Sequence, residues 1–136
     1  MPKLIVYTDG GARGNPGPAG AGIVVLEGAK KLFDYKKYLG ERQTNNWAEY
    51  EAVALALEQL KVKGFAGREI EIRMDSKLVV EQISGNWKIK EPSLKPQVAK
   101  VRALLADFPS YKFVYVPREQ NADADALVNE ALDEAL

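Results

Sequence analysis

Two short apolar runs in this chain each end in an aspartate. Leu4-Ile5-Val6-Tyr7-Thr8 leads into Asp9, and Ile70-Glu71-Ile72-Arg73-Met74 leads into Asp75. Runs of this length, rich in β-branched and aromatic residues, read as strands. In open α/β sheets, ligand sites gather beyond the carboxyl ends of the strands. An acid at such an end is often only a helix cap or a turn former. Two of them constrain the chain more tightly, because both strands must then present a carboxylate at a sheet edge.

The remaining segments fit that sheet. Gly10 to Gly22 is a glycine- and proline-rich turn region. Ala21–Glu27 and Lys31–Tyr38 read as strands joined by the turn Glu27-Gly28-Ala29-Lys30. Gln43–Lys63 is the longest helical pattern, with Thr44 or Asn45 as its cap and Gly64 as its stop. Arg68–Met74 is a strand, Ser76–Ser84 a short helix, and Leu94–Asp107 a helix stopped near Pro109. Lys112–Val116 is a strand, and Asn121–Ala135 a terminal helix. The order βββαβααβα, a hairpin start followed by crossovers, predicts an α/β fold with a mixed sheet flanked by helices. At 136 residues and 46% hydrophobic content, one domain over residues 1–136 is expected.

Two further acids lie near apolar helical faces. At about 100° per residue, Glu49 falls inside the cluster of Tyr50, Val53, Ala56, Leu57 and Leu60. Glu51 and Glu58 fall on the opposite face and read as solvent residues. In the terminal helix, Asp125 borders the stripe of Ala124, Leu127, Val128, Ala131, Leu132 and Ala135, whereas Asp123 projects away. Each is equally well placed for favouring a helix dipole.

Burying a carboxylate is costly unless something pairs with it. The chain has no histidine and no cysteine, so imidazole and thiolate chemistry are closed. Acids gathered with hard oxygen donors point to a divalent cation, magnesium first. Nineteen basic and nineteen acidic residues cancel, which removes the argument for nucleic-acid binding from a basic surface without excluding it. The absence of cysteine, of a visible signal peptide and of any membrane-spanning apolar run leads to the expectation of a cytoplasmic protein without membrane partners. Gly10-Gly11-Ala12-Arg13-Gly14-Asn15-Pro16-Gly17 follows Asp9 directly. Free backbone N–H groups there would suit phosphate or hydroxyl oxygens. The stretch lacks the Gly-Lys-Ser/Thr of a P-loop, and a plain turn is the simpler alternative.

Taken together, these segments resemble type 1 ribonuclease H. The matching motifs are Tyr7-Thr8-Asp9-Gly10-Gly11, Gly14-Asn15-Pro16-Gly17-Pro18-Ala19-Gly20, Thr44-Asn45-Asn46-Trp47-Ala48-Glu49, Asp75-Ser76 and Asn121 to Asn129. They keep the family's order along essentially the whole chain. The resemblance implies a five-stranded mixed sheet and cleavage of the RNA strand of an RNA–DNA hybrid by a two-metal-ion mechanism. Mg²⁺ is the implied ion, with Mn²⁺ as the alternative, two per site. It implies Asp9, Glu49, Asp75 and Asp125 as catalytic, metal-binding carboxylates, with Gly10 also in the metal site. Asp125 is preferred to Asp123 by the Ala-Asp-x-Leu-x-Asn spacing. Gly11, Asn15, Arg42, Thr44, Asn45, Asn46, Lys77 and Arg118 are the implied substrate-binding set, Asn15, Arg42 and Thr44 forming a pocket for a DNA-strand phosphate.

The chain departs from the family twice. Many members carry a mobile histidine before the last helix. Here that loop is Val116-Pro117-Arg118-Glu119-Gln120, and Arg118 is its nearest substitute, though a guanidinium cannot act as a base. Some members carry a basic, tryptophan-bearing extension. Here Asn86-Trp87-Lys88-Ile89-Lys90 runs straight into Glu91-Pro92, leaving that handle short or absent. A monomer is expected. Double-stranded RNA stands as an alternative substrate, because minor-groove 2′-hydroxyls are also available there. A binding module without activity is disfavoured, since clustered negative charge gains nothing beside phosphates.

Overall fold

A computed structural model describes residues 1–136. The strands are β1 (Leu4–Ala12), β2 (Gly17–Glu27), β3 (Lys30–Gln43), β4 (Ile70–Met74) and β5 (Tyr111–Tyr115). The helices are α1 (Asn45–Val62), α2 (Lys77–Ile83), α3 (Lys95–Leu105) and α4 (Ala122–Ala135). The expected order is found, with two short 3₁₀ turns added at Pro92–Leu94 and Arg118–Asn121.

One five-stranded sheet runs β3-β2-β1-β4-β5. β1 pairs antiparallel with β2, and β2 antiparallel with β3. β1 pairs parallel with β4, and β4 parallel with β5. The hairpin segments supply the antiparallel half, and the helical crossovers supply the parallel half, as their connection lengths demand. The two strands that lead to Asp9 and Asp75 therefore lie side by side, with Asp9 inside β1 close to where its pairing with β4 stops.

The glycine-rich segment differs from expectation. β1 continues through Gly10 and Gly11 to Ala12, in register with Ala21, Gly20 and Ala19 of β2. Only residues 13–16 are left as a turn. The reason lies in close approach. A Cβ on Gly10 would stand 2.1 Å from the Ala48 carbonyl oxygen of α1, and one on Gly22 would stand 2.2 Å from the Ala124 carbonyl oxygen of α4. Glycine lets each helix backbone lie against the sheet.

α1 starts where Thr44 caps it, the Thr44 hydroxyl accepting from the Trp47 N–H at 3.1 Å. Its burial is wider than one stripe: Ala48 through Tyr50 and Ala52 through Leu57 are all buried, with Leu60. The helix lies against β1 and β2 on one side and α3 on another. Leu57, Leu60, Ile23 and Ile72 are fully buried in this core, each worth about 1.5–3 kcal/mol of burial. α4 packs against β1, β2 and β3. Gly10 faces α1 while its neighbour Gly11 faces Val128 of α4, so the two helices cover opposite faces of the sheet. No helix is long and apolar enough to cross a membrane.

Candidate active site

Asp9 is delivered by β1, Asp75 by the end of β4, Glu49 by the first turns of α1 and Asp125 by the first turn of α4. All four line one open cleft of about 520 Å³ at the carboxyl edge of β1 and β4. Oxygens of Asp9, Glu49 and Asp75 lie within 4.8 Å of one another. Asp125 faces Asp9 across the cleft from the α4 side, near enough for its charge to act on the Asp9 carboxyl. Asp9 and Glu49 are buried, and Asp75 and Asp125 are partly open to the cleft. Glu49 is fixed further by the Gly10 N–H, which donates to its Oε1 at 2.7 Å.

The electrostatics of this group are unfavourable without a cation. Burial first, then the charges of Asp75 and Asp125, push the Asp9 carboxyl up to about 8. Burial first, and then the charge of Asp9, push Glu49 well above the usual carboxylate range, against the opposing pull of the Gly10 N–H. Nine ion pairs tie the rest of the chain together, and none involves Asp9, Glu49, Asp75 or Asp125. Oxygen-only donors, mutually repelling and without a basic partner, fit a hard divalent cation.

The helical-face reading separates the acids of α4 as expected: Asp123 is exposed and outside the cleft, whereas Asp125 is half-buried and lines it. It was incomplete in α1. Glu51 is not a plain solvent residue. Lys100 of α3 donates to its carboxylate at 2.5 Å, and the Gln97 amide donates to the same oxygen at 3.1 Å. Because α3 covers that side of α1, the acid joins two helices. Glu58 is half-buried as well. A third buried acid, Glu71, was missed because its partners are Lys3, distant in sequence, at 2.8 Å and Arg73 at 2.6 Å.

The substrate-facing residues divide. Gly11, Asn45, Asn46 and Arg118 line the cleft beside the acids. The Asn15 side-chain oxygen accepts from the Asn45 N–H at 3.0 Å, and the Asn45 side-chain oxygen accepts from the Ala12 N–H at 2.8 Å. Both amides are thereby oriented, with their NH₂ groups left to donate elsewhere. The Thr44 hydroxyl accepts within its cap and keeps its own proton to donate. Arg42 is exposed and outside the cleft, and so is Lys77, whose ammonium lies 5.5 Å from the Tyr115 ring centre. The glycine segment does not offer a run of free N–H groups. Those of Gly10, Ala12 and Arg13 are taken by Glu49, Asn45 and the Pro18 carbonyl. Any part Gly10 plays toward a metal rests on its carbonyl oxygen.

Several lining residues were not anticipated, Arg13 and Asn129 among them. Tyr115 and Ser76 flank Asp75 in the cleft, and neither carried a sequence signal beyond strand alternation and a helix cap. A second groove of about 560 Å³ adjoins the first at Asn46 and is lined by Trp87, Lys88 and Lys90. The short segment after α2 therefore still forms a wall, with Trp87 45% exposed.

A mixed five-stranded sheet with acids from β1, β4 and two helices at one edge defines a ribonuclease H-like domain. Residues 7–131 match the family model described as reverse transcriptase-like. "Ribonuclease HI" of Halobacterium salinarum is 43% identical over 133 residues, 98% of this chain and 66% of that protein. "Bifunctional protein Rv2228c" of Mycobacterium tuberculosis is 43% identical over 135 residues, 98% of this chain and 36% of that protein. The chain thus spans from about a third to two-thirds of the length of these relatives. The crystal structure of LC11-RNase H1 in complex with RNA/DNA hybrid superposes with a TM-score of 0.93 at 50% identity, covering 98% of this chain and 99% of that one. The chain belongs to the reverse transcriptase-like family, and its sequence and fold are those of the type 1 ribonuclease H family.

Proposed function

We propose that this protein hydrolyses the RNA strand of RNA–DNA hybrids, using Mg²⁺, with Mn²⁺ as a substitute, at two positions between its four acids. One observation carries the reading: Asp9, Glu49, Asp75 and Asp125 converge in one cleft with no basic side chain paired to any of them. Support comes from a 50%-identical relative whose structure is described as a complex with RNA/DNA hybrid.

Asp9 stands centrally, between the Glu49–Asp75 group and Asp125, and would contribute to both positions. Glu49 and Asp75 would complete one position, and Asp125 the other. Divalent ions held there would supply charge neutralisation of the scissile phosphate and Lewis acidity toward water and leaving oxygen. The chain's own groups then orient the substrate. Asn15 and Asn45 present amide donors suited to 2′-hydroxyl and sugar oxygens in the wide minor groove. Arg42, Thr44 and Asn15 would hold a phosphate of the DNA strand, and the groove wall formed by Trp87, Lys88 and Lys90 would meet the hybrid beyond Asn46. Arg118 makes no ion pair and lines the acidic cleft, where its guanidinium would meet phosphate charge without acting as a base. With no histidine anywhere in the chain, protons released in the reaction leave through substrate phosphate, carboxylate or solvent.

The test is cleavage of end-labelled RNA–DNA, RNA–RNA and DNA–DNA duplexes with Mg²⁺, Mn²⁺ or EDTA. The expected result is metal-dependent cutting of the RNA strand of the hybrid. The RNA–RNA arm reads whether minor-groove recognition extends to double-stranded RNA. Undiminished hybrid cleavage in excess EDTA overturns the reading.

A further inference from the structure

Asn121 occupies the N-cap position of α4, where asparagine is among the favoured residues because its side-chain oxygen can accept from the first-turn N–H groups. Here it makes no such bond. The side chain turns away from its own helix, and its Nδ2 donates to the carbonyl oxygen of Thr8 at 2.9 Å, across 113 residues of sequence. Asn121 is 1% exposed, and its Oδ1 has no hydrogen-bond partner. The residue thus leaves a helix uncapped and an amide oxygen unsatisfied, each worth about 1 kcal/mol or more of stability.

What the contact achieves is positional. Thr8 immediately precedes Asp9. Asn121 precedes Asp125 by four residues, about one helical turn. The short 3₁₀ turn that ends in Asn121 packs against both β1 and β4, the two strands carrying Asp9 and Asp75. β1 and β4 share a ladder and Glu49 is held to β1 by the Gly10 N–H, whereas the start of α4 is tied to β1 by the Asn121 bond, and Asp9 and Asp125 must hold their separation against mutual repulsion.

We infer that Asn121 is a positioning residue: its bond to Thr8 sets the α4 carboxylate, Asp125, at the distance from Asp9 that a shared divalent cation requires. The inference rests on the metal-dependent reading above. It assigns Asn121 no contact with substrate.

The test compares wild type with Asn121→Leu and Asn121→Ala by calorimetric titration of the protein alone with Mn²⁺ and Mg²⁺, by kcat and KM on an RNA–DNA hybrid, and by thermal melting. Leucine removes the unsatisfied oxygen together with the donor and fills the space, which offsets part of the bond lost by the Thr8 carbonyl, so its melting temperature should fall less than that of the alanine variant. Alanine supplies a smaller side chain with the same loss. Metal affinity should fall about 10-fold or more in both, the range seen when groups orienting metal ligands are removed. The value of kcat should fall with it, and KM for the hybrid should stay within about twofold, because the groove contacts are untouched. Val101→Ala, a core truncation in α3, serves as the control for lost stability alone and should leave metal affinity unchanged. Wild-type metal affinity in both Asn121 variants overturns the inference while leaving the functional reading intact. A loss in Val101→Ala equal to theirs also overturns it. Failure of wild type itself to bind either ion overturns the metal reading, and this inference with it.

Discussion

Replacing Asp9 by asparagine should make the metal-free protein more stable at alkaline pH, although it removes the central residue of the site. In the folded chain the Asp9 carboxyl is raised from 3.8 to about 8, first by burial and then by Asp75 and Asp125. The unfolded chain releases that proton near pH 4. Between these values the folded state binds the extra proton, so stability falls as pH rises from about 4 through about 8 and levels off above. About four units at roughly 1.4 kcal/mol each set an upper limit of about 6 kcal/mol. The cleft is open to water and counterions, so about 2–4 kcal/mol is the expected size. In a domain of this length, that corresponds to a melting temperature about 8–15 °C higher for Asp9→Asn than for wild type at pH 8.5 in EDTA. At pH 5 the difference should shrink below about 1 kcal/mol, since wild-type Asp9 is then protonated. Glu49 loses a repelling neighbour in the same variant, which acts in the same direction. Urea and thermal denaturation at the two pH values measure the effect. Adding Mg²⁺ at pH 8.5 should raise wild type and leave the variant nearly unmoved. Parallel stability curves for the two proteins across pH would refute the reasoning, because they would mean that the acids are not in mutual conflict when the cation is removed.

Two further outcomes follow from the geometry of α4. Gly22→Ala places a Cβ 2.2 Å from the Ala124 carbonyl oxygen, so α4 must shift. A loss of about 1–3 kcal/mol by urea denaturation is expected, with reduced hybrid cleavage because Asp125 moves with the helix. Asp125→Asn should lose about 10–100-fold or more in cleavage, whereas Asp123→Asn, exposed and outside the cleft, should stay within about twofold. The reverse ranking would place the fourth carboxylate at Asp123.

The element order and the strand-end acids were legible because they depend on local patterns: apolar runs, helix stops and caps. The α4 acids were separable because α4 covers only one face of the sheet, so its stripe is narrow and periodicity tells the sides apart. α1 is packed on several sides, and there a single-face reading kept Glu49 but misjudged Glu51, whose partners Lys100 and Gln97 come from a helix placed only by the tertiary fold. The glycines were legible as unusual but not in their purpose. Gly10 and Gly22 admit helix backbones from outside their own segment, and no local pattern records which element will arrive. Asn121 is a similar case. At a helix start it reads as an ordinary cap, and only the long-range bond to Thr8 shows otherwise.

Glu71 and Asp9 show that the chain handles buried acids in two different ways. Glu71 is buried, but Lys3 donates to one of its oxygens and Arg73 to the other, and Arg73 also donates to the Tyr7 hydroxyl at 2.8 Å. The Lys3 bond first, and the Arg73 contacts with it, hold the Glu71 carboxyl below its ordinary value. Its stabilising effect is therefore present at neutral pH and lost in acid. Asp9 has the opposite sign, costing stability at neutral pH and none in acid. Tyr7 and Arg73 each lie two residues before Asp9 and Asp75, so the compensated and uncompensated groups stand on the same two strands, on one face. A basic residue could be accommodated one rung from the acids, and none reaches them. Supplying one would relieve the repulsion in the metal-free protein, and it would fill the position where positive charge must be exchangeable. The four acids are left unpaired by the same strands that pair Glu71 fully, which is the arrangement expected of a site whose counter-charge comes from solution.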